Sequence, residues 1–302
     1  MTGTEKFEMT EHHGIYIGTS GWSYPRGEGT WKGYFYPAGK INELEYYSQF
    51  FNTVEVNSSF YRPPNPEYAR NWAQRTPDDF LFTVKLWQKF THPGMYKEAT
   101  GRDTAISRND VDLFRRSLEP LAGHDKLGAL LAQFPPSFKN DDFGRQILHA
   151  VINTFSEYHL AVELRHRSWT DVETTAELLR ETNTCWVEID EPKFSSSIAA
   201  DVPLTSDMVY FRFHGRNREN WWKGNNETRY KYLYSEEELE EIVVKMKKLS
   251  GEVTLMFAQF NNHWQGYAPR NATDIKKQMG LPFVELPLFK DSSDEGKQQP
   301  LI

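Results

Sequence analysis

Eight times along this chain a short apolar run that reads as a strand gives way to a helical stretch or a long loop. The runs are "IYIGTS" from Ile15, "TVEVNSSF" from Thr53, "FLFTVKL" from Phe80, "LGALLAQF" from Leu127, "LAVELR" from Leu160, "CWVEID" from Cys185, "MVYFRFHG" from Met208 and "VTLMFAQFNN" from Val253. Strands that alternate with amphipathic helices build parallel sheets, because a parallel pair needs a crossover. Helix starts are marked by Asn65-Pro66, which places a cap before proline, and by Ser235 with Glu238, which has capping-box spacing. "DVDLFRRSLEPLAG" and "DDFGRQILHAVINTF" repeat apolar residues at three and four, as helices lying on a sheet do. Between Glu191 and Asp207 no helical period appears, so the sixth crossover is expected to be a loop.

The joints orient the fold. Helix-to-strand connections are short, such as "NT" before Cys185 and "SGE" before Val253. Strand-to-helix connections are long, as from Trp22 to Ile41, Trp87 to Asn109 and Gly215 to Tyr234. Eight such units in about 250 residues match a single (β/α)8 TIM barrel of the α/β class, whose functional residues gather at the carboxyl ends of its strands. An open, doubly wound sheet is the alternative. The barrel is expected over residues 15–288, after a polar extension at 1–14 and before a polar tail at 289–302.

Composition removes several function classes. At 302 residues and 38% hydrophobic, the chain can bury one large core, and no run reaches the roughly 18 apolar residues of a membrane span. The polar, acidic start "MTGTEKFEMTEHHG" shows no signal or transit peptide, and a single cysteine, Cys185, forms no internal disulfide, so a cytoplasmic location is expected. A net charge of -7 opposes nonspecific binding to a phosphate backbone.

The strands carry polar residues where a barrel filled only for stability would carry Val, Ile and Leu. Glu55 and Asn57 alternate on strand two, Glu163 and Arg165 on strand five, Glu188 and Asp190 on strand six, Arg212 and His214 on strand seven, and Gln259 and Asn261 on strand eight. Lys85 and Gln133 stand near the ends of strands three and four. Such groups are expensive to bury unless paired, so they form either internal ion pairs or a ligand site above the core. The set as a whole favours a ligand site. Glu55 and Glu163 are the candidate general acid and base, because two carboxyls in a partly dry pocket can hold different protonation states. Lys85, Arg165 and Arg212 are candidate contacts for an anionic, for example phosphorylated, small molecule, and His214 a candidate proton relay. Gln133, Asn57, Asn261 and Asn262 are expected to orient polar substrate groups.

Glu163, Asp190 and His214 come from consecutive strands and offer a rival reading, a divalent metal such as Mn, Zn or Mg in a hydrolase or isomerase. No HExxH or CxxC spacing supports it. "GEGTWKG" from Gly27 misses the dinucleotide-loop spacing, no GxSxG elbow occurs, and Cys185 at the amino end of its strand reads as a core residue. Seven of the nine tryptophans fall at strand ends or in strand-to-helix loops; Trp22, with Phe60 and Tyr61, offers faces for stacking, while each such ring could equally pack a loop on the barrel.

In order along the chain, "IGTSGWSY" with "FYP", "VEVNSSFYRPP", "FTVKLWQKFTH", "LGALLAQFPPSF", "VELRHRSW", "YFRFHGR" and "FNNHWQGYAPRNA" resemble the YecE-like proteins, a TIM-barrel family catalogued as domain of unknown function 72. The resemblance spans Ile15 to Leu286 and implies a single-domain barrel of a bacterial-type cytoplasmic protein. It implies no reaction. It adds His92 to the candidates and gathers Glu55, Asn57, Phe60, Lys85, Gln133, Glu163, Arg165, Arg212, His214, Asn261 and Asn262 into one site. The segment "NRENWWKGNNETRYKYLY" departs from the pattern and is expected to alter how the site is covered. The expectation is therefore a hydrolase, lyase or isomerase of a small polar ligand, sugar-like or nucleotide-like, working without cofactor. A non-catalytic binding barrel is the reading from a different class.

Overall fold

A computed structural model describes residues 13–287 apart from positions 38, 171, 199, 200 and 226, so the expected polar tail and all but the last two residues of the expected polar extension lie outside the described residues, and Gly14 already begins the first strand. Among the described residues nine parallel strands run in chain order: β1 Gly14–Ser20, β2 Thr53–Val56, β3 Leu81–Lys85, β4 Leu127–Gln133, β5 Leu160–Glu163, β6 Cys185–Trp186, β7 Glu188–Asp190, β8 Met208–Phe213 and β9 Leu255–Phe260. The hydrogen-bonded order is β6-β5-β4-β3-β2-β1-β9-β8-β7. The run read as one sixth strand is two short pieces. β6 pairs with β5, β7 pairs with β8, and Val187 between them donates its N–H to the Val162 carbonyl. One stave thus changes neighbours halfway along and closes the sheet into an eight-staved barrel.

The helices are α1 Glu43–Tyr47, α2 Pro66–Gln74, α3 Gln88–Thr91, α4 Pro93–Thr100, α5 Arg108–Ala122, α6 Asp142–Thr154, α7 Val172–Arg180, α8 Glu236–Ser250 and α9 Tyr267–Met279. Asn65 caps α2 with its side chain on the Glu67 N–H and proline follows at the first helical position. Ser235 and Glu238 close the expected capping box on α8. Ser107 and Asp110 close another on α5, one the sequence analysis did not single out. The described part of the sixth crossover holds no helix.

Two cores follow from the period-two alternation of strands. One side of each strand packs against helices through residues such as Val54, Phe82, Leu130, Val162, Phe211 and Phe260. The other fills the barrel with Leu81, Ala129, Leu131, Ala161, Cys185, Val187, Met208, Tyr210, Leu255 and Phe257. Phe257 fits the axis because β4 carries Gly128 there: a Cβ at that position would lie 2.6 Å from the Phe257 ring. Cys185 is a buried free thiol in this interior. No helix among the described residues is long and apolar enough to cross a membrane.

Candidate active site

Above Tyr210 and Phe257 the inward positions change from apolar to charged. Arg212 on β8 lies at the centre, 1% exposed. Its Nε and Nη2 donate to the two oxygens of Glu55 on β2, at 2.9 and 2.6 Å. Its Nη1 donates to Glu163 Oε2 at 2.5 Å and to Gln133 Oε1 at 3.1 Å. The Tyr210 hydroxyl donates to Glu55 Oε2 at 2.9 Å and lies 2.7 Å from Thr83 Oγ1. Arg165, just past β5, donates through Nε to Glu163 Oε1 at 2.5 Å and through Nη2 to His214 Nε2 at 3.0 Å, with Nη1 3.6 Å from Glu191. Carboxylates and guanidiniums therefore alternate in one chain: Glu55, Arg212, Glu163, Arg165, Glu191.

The proton inventory differs from what the residue types suggest. Burial pushes the Glu163 carboxyl up, but Arg165 and Arg212 overcome it and hold the group well below the usual carboxylate range. Burial, then Arg165 and Arg212, pushes His214 down to about 3, and burial with Lys85 and Arg165 does the same to His92. Both imidazoles are neutral at pH 7. A guanidinium only donates, so His214 Nε2 accepts from Arg165 and the ring hydrogen sits on Nδ1. The Asn261 amide, 2.9 Å from Nδ1, then receives that hydrogen on its oxygen, an orientation assigned by the network. Burial raises the Glu191 carboxyl against the pull of Arg165. Lys85 is the exception among the bases: burial first, then the Arg212 charge, lower its amine to about 7.

Lys85, the last residue of β3, is half-buried, and its Nζ lies 4.1 Å from the centre of the Phe60 ring. The Ser59 hydroxyl sits 2.6 Å from the Val56 carbonyl and 2.7 Å from that of Lys85, tying the 3-10 turn Ser58–Phe60 to the end of β3. His92 meets the Phe60 ring edge-on at 4.9 Å, and its Nδ1 is 2.9 Å from Thr91 Oγ1. Beyond His92 opens a mainly apolar cavity of about 670 Å³, walled by Phe90, Met95, Ile106, Phe138 and Phe143.

Ten of the expected residues come together here: Glu55, Glu163, Arg165, Arg212, His214, Lys85, Gln133, Asn261, Phe60 and, against Phe60, His92. Several expectations change. Glu163 is locked in the ionised form, and Arg212 stands between it and Glu55, so the two do not form a proton-transfer pair. Every nitrogen of Arg212 is engaged by protein groups, which removes it as an anion contact. Asn262 points away, donating to the Tyr232 carbonyl at 2.9 Å and to Asn271 of α9 at 2.8 Å. Asn57 is half-buried before the 3-10 turn and makes no side-chain cap bond, and Tyr61 is 64% exposed. Trp22 packs edge-on against Trp72 of α2 and lines a groove with Ile41 and Tyr68, apart from the charged chain.

The metal trio is divided. Glu163 and His214 are 3.7 Å apart, but Asp190 faces the helical layer, where it accepts from Arg216 at 2.7 and 3.0 Å and from the Tyr234 hydroxyl at 2.7 Å. With Arg165 on His214 Nε2, the ring has no lone pair free there for a cation. Among the described residues no group of three or more His, Cys, Asp or Glu could hold a metal ion. The tryptophans mostly fasten loops: Trp31 and Trp169 are fully buried, with their indoles on the carbonyls of His263 and Phe138.

Five site residues escaped the sequence analysis. Tyr210, two residues before Arg212, continues the inward alternation of its strand, and the same period would have found it; Glu191, two after Ile189, lies on the face opposite to the one that the reading of Glu188 and Asp190 as inward had chosen. Ser20 is the register partner of Glu55 across β1 and β2. Its hydroxyl is buried without a partner among the described residues, as is Gln259 Oε1. Tyr24 and Tyr230 come from the long loops. Tyr24 stacks on His263 at 4.5 Å, and Tyr230 lies 5.3 Å from His263 and 6.1 Å from His214. No periodicity marks such residues. Tyr230 and Trp221, which lies 6.2 Å from His214, belong to the segment expected to alter the cover.

A family model described as "Protein of unknown function DUF72" matches residues 16–296. The chain is 31% identical over 288 residues to the UPF0759 protein YunF of Bacillus subtilis (strain 168), covering 90% of this chain and 97% of that one. It is 29% identical over 152 residues to the UPF0759 protein YecE of Escherichia coli (strain K12), covering 50% and 48% of the two chains. A crystal structure of a DUF72 family protein from Thermotoga maritima MSB8 superposes with a TM-score of 0.77 at 39% identity, over 89% of this chain and 100% of that one.

Proposed function

The chain belongs to the DUF72 family of proteins of unknown function, and because that membership names no reaction, we propose one from the site itself: an enzyme that takes a small polar ligand at the carboxyl end of the barrel and uses the Lys85 amine as its proton-transfer group. The observation that carries this reading is the state of Lys85. Two carboxylates stand near enough to act on its charge, yet neither pairs with it, because Arg212 and Arg165 have taken both. The amine makes no hydrogen bond or ion pair with another described residue and keeps an accessible edge over Phe60. A lysine poised near neutral pH is suited to acid/base work, and the ion-paired chain beside it is a rigid support. Ser20 and Gln259 supply spare hydrogen-bonding capacity for a hydroxylated or carbonyl-bearing ligand. The second reading, a binding barrel without turnover, draws support from the closure of the Arg212 network on itself.

The test is solvent deuterium incorporation into a panel of small hydroxy- and oxo-compounds, free and phosphorylated, followed by NMR. Exchange is expected with wild-type protein, rising with pH to a plateau above about 7 and falling by about 10²–10⁴ in Lys85→Met. Compounds that stabilise both proteins equally against heat, with no exchange in either, would overturn the enzymatic reading and leave the binding barrel.

A further inference from the structure

We propose that Lys85 acts covalently, condensing with the carbonyl of an aldehyde or ketone substrate to form a Schiff base. The inference rests on the reading of Lys85 as the reactive group and extends it from proton transfer to bond formation. Its ground is the arrangement around Nζ: an inward-facing lysine at the carboxyl end of a barrel strand, half-buried, over an aromatic face, and kept out of ion pairs by guanidiniums that hold both neighbouring carboxylates.

The step balances without a co-reactant. The amine lone pair attacks the carbonyl carbon and forms the C–N bond. The carbonyl π pair moves to oxygen, and an amine proton passes to that oxygen to give the carbinolamine. Loss of the hydroxyl as water, with the second amine proton, leaves the imine. Protonated, the imine withdraws electrons from the substrate α-carbon and makes its C–H bond acidic enough for solvent water to take the proton and later return one, which is the exchange the preceding reading requires. The Phe60 face receives the iminium charge as it receives the ammonium. Ser20, in register with Glu55, and Gln259, in register with Arg212, add buried oxygens with no partner among the described residues on the strands beside the ion-paired chain. The lowered basicity of the amine supports the assignment, since the neutral form is the nucleophile.

The experiment uses the full chain, dihydroxyacetone and pyruvate as probes, and sodium borohydride, which reduces an imine to a stable secondary amine. Reduction at pH 7 with either probe is expected to attach a single adduct, mapped to Lys85 by peptide sequencing. Lys85→Met should lower the yield at least about tenfold, and Lys85→Arg, which keeps the charge but not the nucleophile, should behave likewise. Adducts scattered over lysines without preference for Lys85 overturn the proposal, and mapping on the wild-type protein decides this even if a variant misfolds. Deuterium exchange that depends on Lys85 with no adduct overturns the Schiff base while leaving Lys85 as a base. Neither exchange nor adduct overturns both readings.

Discussion

Two charged clusters sit on opposite faces of the same stretch of sheet. Inside the barrel, Arg212 joins Glu55 and Glu163, with side chains at most 1% exposed. Outside, one register step away, Arg216 joins Asp190 and Glu238 with side chains 22–33% exposed, and Lys245 bridges Glu188 and Asp201. The residue types match and the surroundings do not. Water screens the outer pairs and can replace any partner that is lost. The inner pairs have only each other, so removing one strands the rest. A charged cluster so enclosed is expensive as scaffolding, since an apolar layer of the same volume would hold the barrel as well. Its position beside an unpaired lysine gives it another use: it absorbs two carboxylates that would otherwise neutralise that lysine.

The largest effect should come from the inner centre. Arg212→Met leaves Glu55 and Glu163 without their shared partner and should lower stability by about 3–5 kcal/mol in chemical denaturation. The loss should persist in high salt. A loss below about 1 kcal/mol would mean that the inner cluster relaxes as the outer one does, and the contrast between the two would fail.

Much of this contrast was legible in the chain. The alternation of Glu163 with Arg165 and of Arg212 with His214 put those residues on one face, and the long loops after the strands put that face at the functional end. Asp190 was misread for a physical reason. "CWVEID" looks like one strand, but it changes neighbours at Val187, and its acidic residues Glu188 and Asp190 fall on the helical side while Val187 and Ile189 turn inward. Nothing in a six-residue run reveals which neighbour it pairs with. Roles were harder to read than positions. A glutamate on the inner face looks like an acid or base until its partners are counted, and that count depends on residues more than a hundred positions apart. The burial that lowers the Lys85 amine is likewise a property of the closed barrel.

A smaller, opposite effect should follow at Lys85. The unfolded chain keeps the Lys85 proton up to its ordinary value of 10.5, the folded chain only up to about 7. Between those values unfolding takes up a proton, so the lysine costs the fold most below pH 7 and progressively less as pH rises. Lys85→Met removes that cost. The variant should be more stable than wild type at pH 6, on the order of 2–4 kcal/mol after allowance for partial exposure, and the gap should close by about pH 10.5. A destabilised variant, or a gap that does not change with pH, would show the amine to be charged and satisfied in the fold.

The smallest effect belongs to the outer cluster and sharpens the comparison from its other side. Asp190→Asn keeps the shape of the side chain and its acceptor for the Tyr234 hydroxyl, and Arg216 retains Glu238 at 2.9 Å. Only one charge is lost, in a place where solvent reaches both partners. Stability should fall by about 1 kcal/mol or less, and most of that difference should vanish at about 1 M salt, where screening extends to roughly 3 Å. Borohydride trapping at Lys85 should not change, because the Asp190 side chain faces the helices and its bonds go to Arg216 and Tyr234, not to the inner chain of ion pairs. Were Asp190→Asn instead to abolish trapping or cost several kcal/mol independent of salt, the sheet would be transmitting charge between its faces, and the two clusters would be one system divided only by the backbone of β7 and β8.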